Sequence, residues 1–169
     1  AIGADRCIYY VSRTRESISR LREDGVFHWM FIMTQERGPF SGSLALHGGA
    51  VLAYTQEGFA VCLDMETGKE RWARKFAAGG CALDMSAAVA QGGAVVLPGK
   101  DDAGDSELKF NRTLFVLDAK TGKDRWKVKV RLGLANVVPC FADGGLLVFQ
   151  TISGEVACHD LADGSLKWM

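Results

Sequence analysis

Residues 63–72 read LDMETGKERW, and residues 117–126 read LDAKTGKDRW. Both segments carry an aspartate, a threonine and a glycine at the same spacing, and both end on a tryptophan four residues after the glycine. The two copies consist of Asp64, Thr67, Gly68 and Trp72, and of Asp118, Thr121, Gly122 and Trp126. Two such strings in one short chain indicate an internal repeat.

The other two tryptophans follow the same rule. Residues 159–168, HDLADGSLKW, keep Asp160, Gly164 and Trp168, with Asp163 in the place of the threonine. Residues 20–29, RLREDGVFHW, keep only Gly25 and Trp29. All four tryptophans of the chain therefore stand four residues after a glycine. A repeat of roughly 40 residues is typical of solenoids and propellers.

Each repeat predicts four short strands. In the second repeat, apolar runs at 43–46, 50–55, 59–64 and 70–76 are separated by glycine-containing turns, the pattern of an antiparallel meander. The turn at 66–69 needs a positive φ at Gly68. Radial stacking buries both faces of such sheets. We therefore predict an all-β propeller segment of four blades, each a four-stranded antiparallel sheet, over a β-solenoid, whose coils are usually shorter.

A single propeller segment spanning residues 1–169 accommodates all four repeats. The predicted blades are about 1–33, 41–77, 85–131 and 136–169. The chain opens on the second strand of a unit and starts with Ala1, so we expect a segment of a longer protein. A second copy that completes the ring, or an open arc with exposed edges, remain the alternatives.

The third repeat carries a ten-residue insertion within KDDAGDSELKFNR, residues 100–112. Its four carboxylates are Asp101, Asp102, Asp105 and Glu107. Carboxylates bind calcium, but this run lacks the alternating ligand spacing of an EF-hand loop. We interpret it as a solvated loop, and as the best candidate for contact with a protein partner, because insertions on a regular scaffold often carry function.

Composition excludes two classes of partner. The chain has 20 basic and 20 acidic residues, so its net charge is zero and a general attraction to nucleic acid is not expected. The basic cluster Arg13, Arg15, Arg20 and Arg22 is interpreted as a solvated strand face and turn. No apolar run approaches the roughly 18 residues that cross a bilayer, so no membrane insertion is predicted for this segment.

The five cysteines predict packing rather than cross-links. They are Cys7, Cys62, Cys81, Cys140 and Cys158. The count is odd and no CxxC pair occurs, which indicates neither a disulfide framework nor a zinc site. Cys62 and Cys158 stand two residues before the repeat aspartate, where Ser19 and Val116 are the counterparts, so a small side chain is expected there. Reduced thiols favour an intracellular compartment.

The repeated string resembles the tryptophan-docking motif of the quinoprotein-dehydrogenase-like propellers, often called PQQ repeats. That motif runs Ala-x-Asp-x-x-x-Gly-x-x-x-Trp, typically with threonine before the glycine. The chain departs from it at the alanine in every repeat, and at Leu21, where aspartate is expected. The resemblance implies that each tryptophan packs against the next blade. It also implies a ring of seven or eight blades, of which four are about half.

The resemblance leaves the function open. Enzymes of this family bind pyrroloquinoline quinone (PQQ) and calcium through a glutamate, an asparagine and a catalytic aspartate, often beside a disulfide between adjacent cysteines. This chain has no adjacent cysteines, and no ligand motif aligns. His28, His47 and His159 fall in different repeats. We predict no catalytic, cofactor-binding or metal residue.

The favoured function is a non-catalytic scaffold for protein partners, as in relatives such as an outer-membrane assembly lipoprotein and the luminal domains of unfolded-protein sensors. The alternatives are a fragment of a PQQ-dependent dehydrogenase, which would use PQQ and calcium, and a dimerising domain like that of a stress sensor.

Overall fold

The computed structural model describes residues 1–41, 44–78, 89–101, 111–131, 133–134, 140–142 and 145–169. Within these ranges the chain forms fifteen strands in four antiparallel sheets, and one 3-10 helix, Gln35–Arg37. No helix in the same ranges has the length and apolar character needed to span a bilayer. The predicted all-β propeller architecture is confirmed, except that the first sheet has three strands where four were predicted.

The strands of each sheet follow one another in chain order. The first sheet contains β1 (Ile8–Val11), β2 (Ser17–Leu21) and β3 (Phe27–Ile32). The second contains β4 (Ala45–His47), β5 (Ala50–Tyr54), β6 (Phe59–Asp64) and β7 (Glu70–Lys75). The third contains β8 (Val89–Gln91), β9 (Ala94–Gly99), β10 (Thr113–Asp118) and β11 (Asp124–Lys129). The fourth contains β12 (Cys140–Ala142), β13 (Leu146–Gln150), β14 (Val156–Asp160) and β15 (Leu166–Trp168).

Up-and-down order gives every sheet two distinct ends. The turns that lead into the tryptophan-bearing strands β3, β7, β11 and β15 lie at one end, which we call the docking end. The connections between β1 and β2, β5 and β6, β9 and β10, and β13 and β14 lie at the opposite end. We call it the insertion end, because the ten-residue insertion of the third repeat connects β9 to β10.

The core consists of three layers, one between each pair of successive sheets. Neighbouring residues of one strand contribute to different layers: Val51 packs toward the first sheet, and Leu52 packs toward the third. Both are buried, as is the whole of β5. A central strand that alternates between two apolar layers has no polar face, which explains why its sequence, AVLAY, is apolar throughout.

A register shift next to each docking-end turn sets which residue faces the tryptophan. Cys62 pairs with Trp72, and Cys158 pairs with Trp168, ten residues later in both sheets. In the first sheet Arg20 pairs with Trp29, nine residues later. The prediction that Ser19 is the counterpart of Cys62 is therefore wrong by one residue.

The first sheet differs by one residue because its turn is shorter. Gly68 N–H donates to Asp64 O, four residues back, whereas Gly25 N–H donates to Arg22 O, only three residues back.

Candidate functional site

Three of the four tryptophans form the seams between sheets. Each indole Nε1–H donates to a backbone carbonyl in the turn of the following sheet: Trp29 to Met65 (3.1 Å), Trp72 to Ala119 (3.2 Å) and Trp126 to Leu161 (2.9 Å). Satisfying this donor allows the rest of a large apolar ring to be buried. A tryptophan thus docks on the next repeat rather than on the glycine four residues before it.

The glycine of the next repeat makes room for the indole. A Cβ added to Gly68 would lie 2.5 Å from the ring of Trp29, and one added to Gly122 would lie 2.7 Å from the ring of Trp72. The φ of Gly68 is +70°, which L side chains rarely adopt. Turn conformation and close packing therefore both require glycine at this place in the motif.

The aspartate and threonine of the motif hold the turn. One oxygen of Asp64 accepts the backbone N–H of Glu66 and both the N–H and the hydroxyl of Thr67. The other oxygen accepts Arg71 at 2.9 Å, and Arg71 also donates to the Gly49 carbonyl. The Arg71 guanidinium and the Thr67 donors hold the pKa of Asp64 well below its usual range.

The third repeat has the same interactions around its aspartate, and the fourth repeat has a variant of them. Asp118 accepts hydrogen bonds from Thr121 and from Arg125. Arg125 also donates to the carbonyl of Gly93, in the turn between β8 and β9, as Arg71 donates to Gly49. In the fourth sheet Lys167 replaces the arginine and lies 3.1 Å from Asp160. The Ala162 N–H and the Lys167 ammonium lower the pKa of Asp160.

In the first sheet, the buried side chain of Arg20 takes the place of the interactions around the motif aspartate. The sequence pattern predicted a solvated side chain at this position. Arg20 is 5% exposed. Its guanidinium lies 3.0 Å from Asp5 and 3.0 Å from Glu66 of the second sheet, so an ion-pair network crosses the seam. Arginine only donates, so Nδ1 of His28, 3.0 Å away, accepts from it. The sequence signal for this difference is Leu21, which stands where the other repeats have aspartate. Without that carboxylate, the turn lacks its usual hydrogen-bond acceptor.

Tyr9 and Asp5 complete this network. The Tyr9 hydroxyl donates to Asp5 at 2.6 Å, and the Arg20 guanidinium lies 5.8 Å from the Tyr9 ring centre. Burial alone would raise the pKa of Asp5, but the Tyr9 hydroxyl, the Cys7 N–H and Arg20 outweigh it and hold this pKa below its usual range. Burial and the bond to Asp5 raise the pKa of Tyr9 far above its usual range. Asp5 therefore stays ionised and Tyr9 stays a donor.

The predicted histidines stay apart, in the first, second and fourth sheets. His159 is buried in the seam between the third and fourth sheets, stacked between Trp126 and Phe149 with ring centres 5.8 and 5.6 Å away. Its Nδ1–H donates to the Gly164 carbonyl. This histidine fills a packing role that the sequence pattern did not indicate.

The cysteines pack as small apolar groups where their side chains are described. Cys7, Cys62 and Cys158 are free and buried. Burial raises the pKa of the Cys62 thiol to about 11, so the thiol is neutral at physiological pH. Cys81 and the side chain of Cys140 lie outside the described residues.

The acidic insertion is described only at its start. Asp101 forms an ion pair with Lys127 at 2.5 Å, whereas Asp102, Asp105 and Glu107 lie outside the described residues. In the described ranges, no three His, Cys, Asp or Glu side chains gather in a way that could hold a metal ion.

The fourth tryptophan has no partner turn in the part of the chain that the structure describes. Trp168 is 51% exposed, although it occupies the position of Trp72 in its own sheet. At the other extreme of the array, nothing lies within 4 Å of the place where a Cβ on Gly25 would stand. Among the described residues, Gly25 and Trp168 therefore lack the contact that the other motif glycines and tryptophans make.

The geometry of the three seams agrees with a comparison to known families. A family model described as outer membrane protein assembly factor BamB matches residues 11–169. The chain belongs to this family. The predicted membership of the PQQ-repeat propeller superfamily is confirmed by this match. No curated protein sequence matches the chain.

Solved structures extend the likeness in fold. BamB from Moraxella catarrhalis has a TM-score of 0.75 and 22% identity, covering 99% of this chain and 46% of that one. Quinohemoprotein alcohol dehydrogenase ADHIIG from Pseudomonas putida HK5 has a TM-score of 0.72 and 14% identity, covering 98% and 32%. The quinohemoprotein alcohol dehydrogenase of Comamonas testosteroni has a TM-score of 0.71 and 16% identity, covering 97% and 33%. The chain spans less than half the length of each.

Proposed function

We propose that the chain is part of a non-catalytic propeller scaffold that binds protein partners in outer membrane protein assembly. The observation that carries the proposal is the match over residues 11–169 to a family described as an outer membrane protein assembly factor. The likeness to BamB from Moraxella catarrhalis along 99% of the chain supports it. No cofactor takes part in the function proposed.

The seams determine which surfaces are available to a partner. The faces of the sheets are occupied wherever two sheets stack, which leaves the strand-end loops. At the docking end, Arg71 and Arg125 are already held by Asp64 and Asp118 and by backbone carbonyls. Engaged donors have little left to offer a partner. We therefore assign partner binding to the insertion end.

The described part of the insertion end suits a protein contact. A cleft of about 450 Å³ there is lined by Thr14 and Glu16, from the connection between β1 and β2, and by Ile32, Gln35 and Pro39, at and after the end of β3. Exposed Ile32 lies among exposed polar side chains there, and an apolar centre with a polar rim is typical of protein interfaces. The acidic insertion connects β9 to β10 and so belongs to the same end of the array.

Crosslinking tests the proposed surface. A photoreactive amino acid replaces Asp101 in one variant and the exposed docking-end residue Lys120 in a second, both made in the cells that encode the protein. We expect the first variant, and not the second, to crosslink to a component of the outer membrane protein assembly machinery. Deletion of the gene should lower the amount of assembled outer membrane proteins. Unchanged amounts would contradict the proposed function.

The rival function, a fragment of a PQQ-dependent dehydrogenase, is tested separately. Its support is a likeness in fold at 14% and 16% identity, and one fold hosts many activities. The purified protein is titrated with PQQ in the presence of calcium, with tryptophan fluorescence as the readout, and is then assayed for dye-linked oxidation of alcohols. We expect no saturable binding and no oxidation. Saturable binding together with turnover would replace the scaffold proposal by the enzyme.

A further inference from the structure

The seam between the second and third sheets contains a cleft of about 490 Å³ at the docking end. Ala50 and Cys62 of the second sheet and Ala119 of the third line its floor, and all three are buried. His47 is partly exposed and Lys120 is exposed, so these two side chains form its mouth. We call this space the Cys62 cleft. Its two walls are interior to the array, and the structure describes the residues that line both.

A larger side chain fills the equivalent space in the seam between the third and fourth sheets. Leu161 is the counterpart there of Ala119, because each supplies the backbone carbonyl that bonds the indole of its seam. Leu161 is buried, and its Cδ2 lies 3.4 Å from the place where a Cβ on Gly92 would stand. Nothing lies within 4 Å of that place on Gly48, the counterpart of Gly92 in the second sheet. A leucine therefore closes one seam, and an alanine leaves the other open.

An ion pair fills the equivalent space in the seam between the first and second sheets. Arg20 pairs with the tryptophan of its sheet, as Cys62 does in the second sheet. The Arg20 guanidinium lies 3.0 Å from the carboxylate of Glu66. Lys120 is the counterpart of Glu66, because each directly follows the residue whose carbonyl bonds the indole. The Cys62 cleft therefore has a cation where the first seam has a carboxylate, and no carboxylate is among the described residues that line it.

The two side chains at the mouth of the Cys62 cleft are available to a ligand. Neither the imidazole of His47 nor the ammonium of Lys120 forms a hydrogen bond or ion pair with any residue that the structure describes. Arg71 also lines the cleft, but its guanidinium is held by Asp64 at 2.9 Å. A positive charge beside apolar surface attracts an anion more strongly than it does in bulk water. The cleft is therefore complementary to a molecule that has an anionic head and a short apolar chain.

We propose that the Cys62 cleft binds a small aliphatic carboxylate. Lys120 and His47 donate to the carboxylate, which supplies the anion that the first seam receives from Glu66. The aliphatic chain occupies the space that Leu161 fills in the seam between the third and fourth sheets. The ligand contacts both walls of the cleft, so its binding stabilises the seam. The site lies at the opposite end of the array from the surface assigned to protein partners, and it does not depend on the scaffold function.

Amide chemical-shift mapping by NMR on the isotope-labelled chain tests the proposal, with sodium hexanoate as the probe. We expect saturable shifts at the turns that contain Gly48 and Lys120, with a Kd of about 1 mM or lower. Hexan-1-ol lacks the charge and inorganic phosphate lacks the apolar chain, so each should bind at least about tenfold more weakly than hexanoate. Equal binding of hexanoate and hexan-1-ol, or of hexanoate and phosphate, would overturn the proposal.

Two variants copy the residues that occupy the equivalent places in the other seams. Ala119→Leu introduces the side chain of Leu161, so it should keep the fold and abolish the binding of hexanoate. Lys120→Glu introduces the charge of Glu66 and should weaken the binding at least about tenfold. Lys123→Glu is the matched control, because Lys123 is exposed on the same sheet but does not line the cleft. At physiological salt we expect it to leave the affinity unchanged, since distant surface charges are screened.

The variants also separate loss of the site from loss of folding. The dispersion of the amide spectrum reports whether Ala119→Leu is folded. If that variant is unfolded, Lys120→Glu decides alone, because position 120 is exposed and tolerates a change of charge. Shifts that do not saturate, hexanoate binding that survives Lys120→Glu or a folded Ala119→Leu, or an equal loss with Lys123→Glu would each overturn the proposal.

Discussion

Trp72 packs against Gly122 of the following sheet, with its Nε1–H bonded to the Ala119 carbonyl at 3.2 Å. A Cβ on Gly122 would approach the ring to 2.7 Å. The motif therefore acts between repeats: a repeat contributes its tryptophan to the seam with the following sheet and its glycine to the seam with the preceding sheet. The mutational effects expected for the array depend on this division.

Gly122→Ala tests the close approach. The φ of +69° disfavours alanine, and the methyl group also meets the Trp72 ring. Gly154→Ala has the same backbone problem without a neighbour within 4 Å. We expect a loss of about 1 kcal/mol for the Gly154 variant, from backbone strain alone, and of about 3 kcal/mol for the Gly122 variant. Urea denaturation measures both, and equal losses would show that the indole contact contributes nothing.

Trp29→Ala and Trp168→Ala compare the loss of a buried indole with the loss of a half-exposed one. Trp29 is 8% exposed, so its removal should leave a cavity and lower the free energy of unfolding by about 3–5 kcal/mol. Trp168 is half exposed, and in dilute solution its removal should change that free energy by about 0.5 kcal/mol or less. Thermal unfolding of the monomer measures the two. A similar loss for both would mean that Trp168 is buried within the single chain.

Asp64→Asn tests the electrostatic part of the turn. Arg71 and Thr67 hold the pKa of Asp64 below the ordinary 3.8, so the carboxylate stabilises the fold above that pH and loses its contribution as the pH falls through the lowered pKa. The wild-type protein should therefore lose stability below about pH 4, and the asparagine variant should lose less over the same interval. Asp24→Asn, at a carboxylate 3.6 Å from exposed Arg22, serves as the control. Parallel acid-denaturation curves for the wild type and Asp64→Asn would contradict this assignment.

Arg20→Ala tests the ion-pair network between the first and second sheets. Its removal takes a buried guanidinium away from the partly exposed Asp5, and we expect a loss of about 1–3 kcal/mol. The loss should be local: amide hydrogens of β1 to β3 should exchange faster, and those of β9 and β10 should keep their protection. Arg22→Ala removes an arginine whose side chain is 61% exposed and should change neither quantity. Uniform acceleration of exchange would show that Arg20 supports the whole array.

Local patterns made much of the fold predictable. The turn held by Asp64, Thr67 and Gly68 consists of contiguous residues, so its hydrogen bonds and its positive φ are encoded where they occur. The alternation between two apolar layers is likewise visible within one strand. The repeat, the strand class and the propeller family follow from such short-range signals. The function does not, because it depends on which surfaces of the folded repeats meet a partner, and spacing within one repeat does not encode that.

Contacts between repeats were decided by the tertiary structure. The sequence by itself determined that every repeat offers a glycine and a tryptophan four residues apart. Only the stacking of sheets decided that Trp29 meets Gly68 rather than Gly25, and that Trp168 stays half exposed. A turn one residue shorter placed Arg20, and not Ser19, opposite Trp29 and buried a charge that the sequence pattern assigned to solvent. The physical reason is that strand register sets which face a side chain occupies, and register depends on turn length and on the neighbouring sheet.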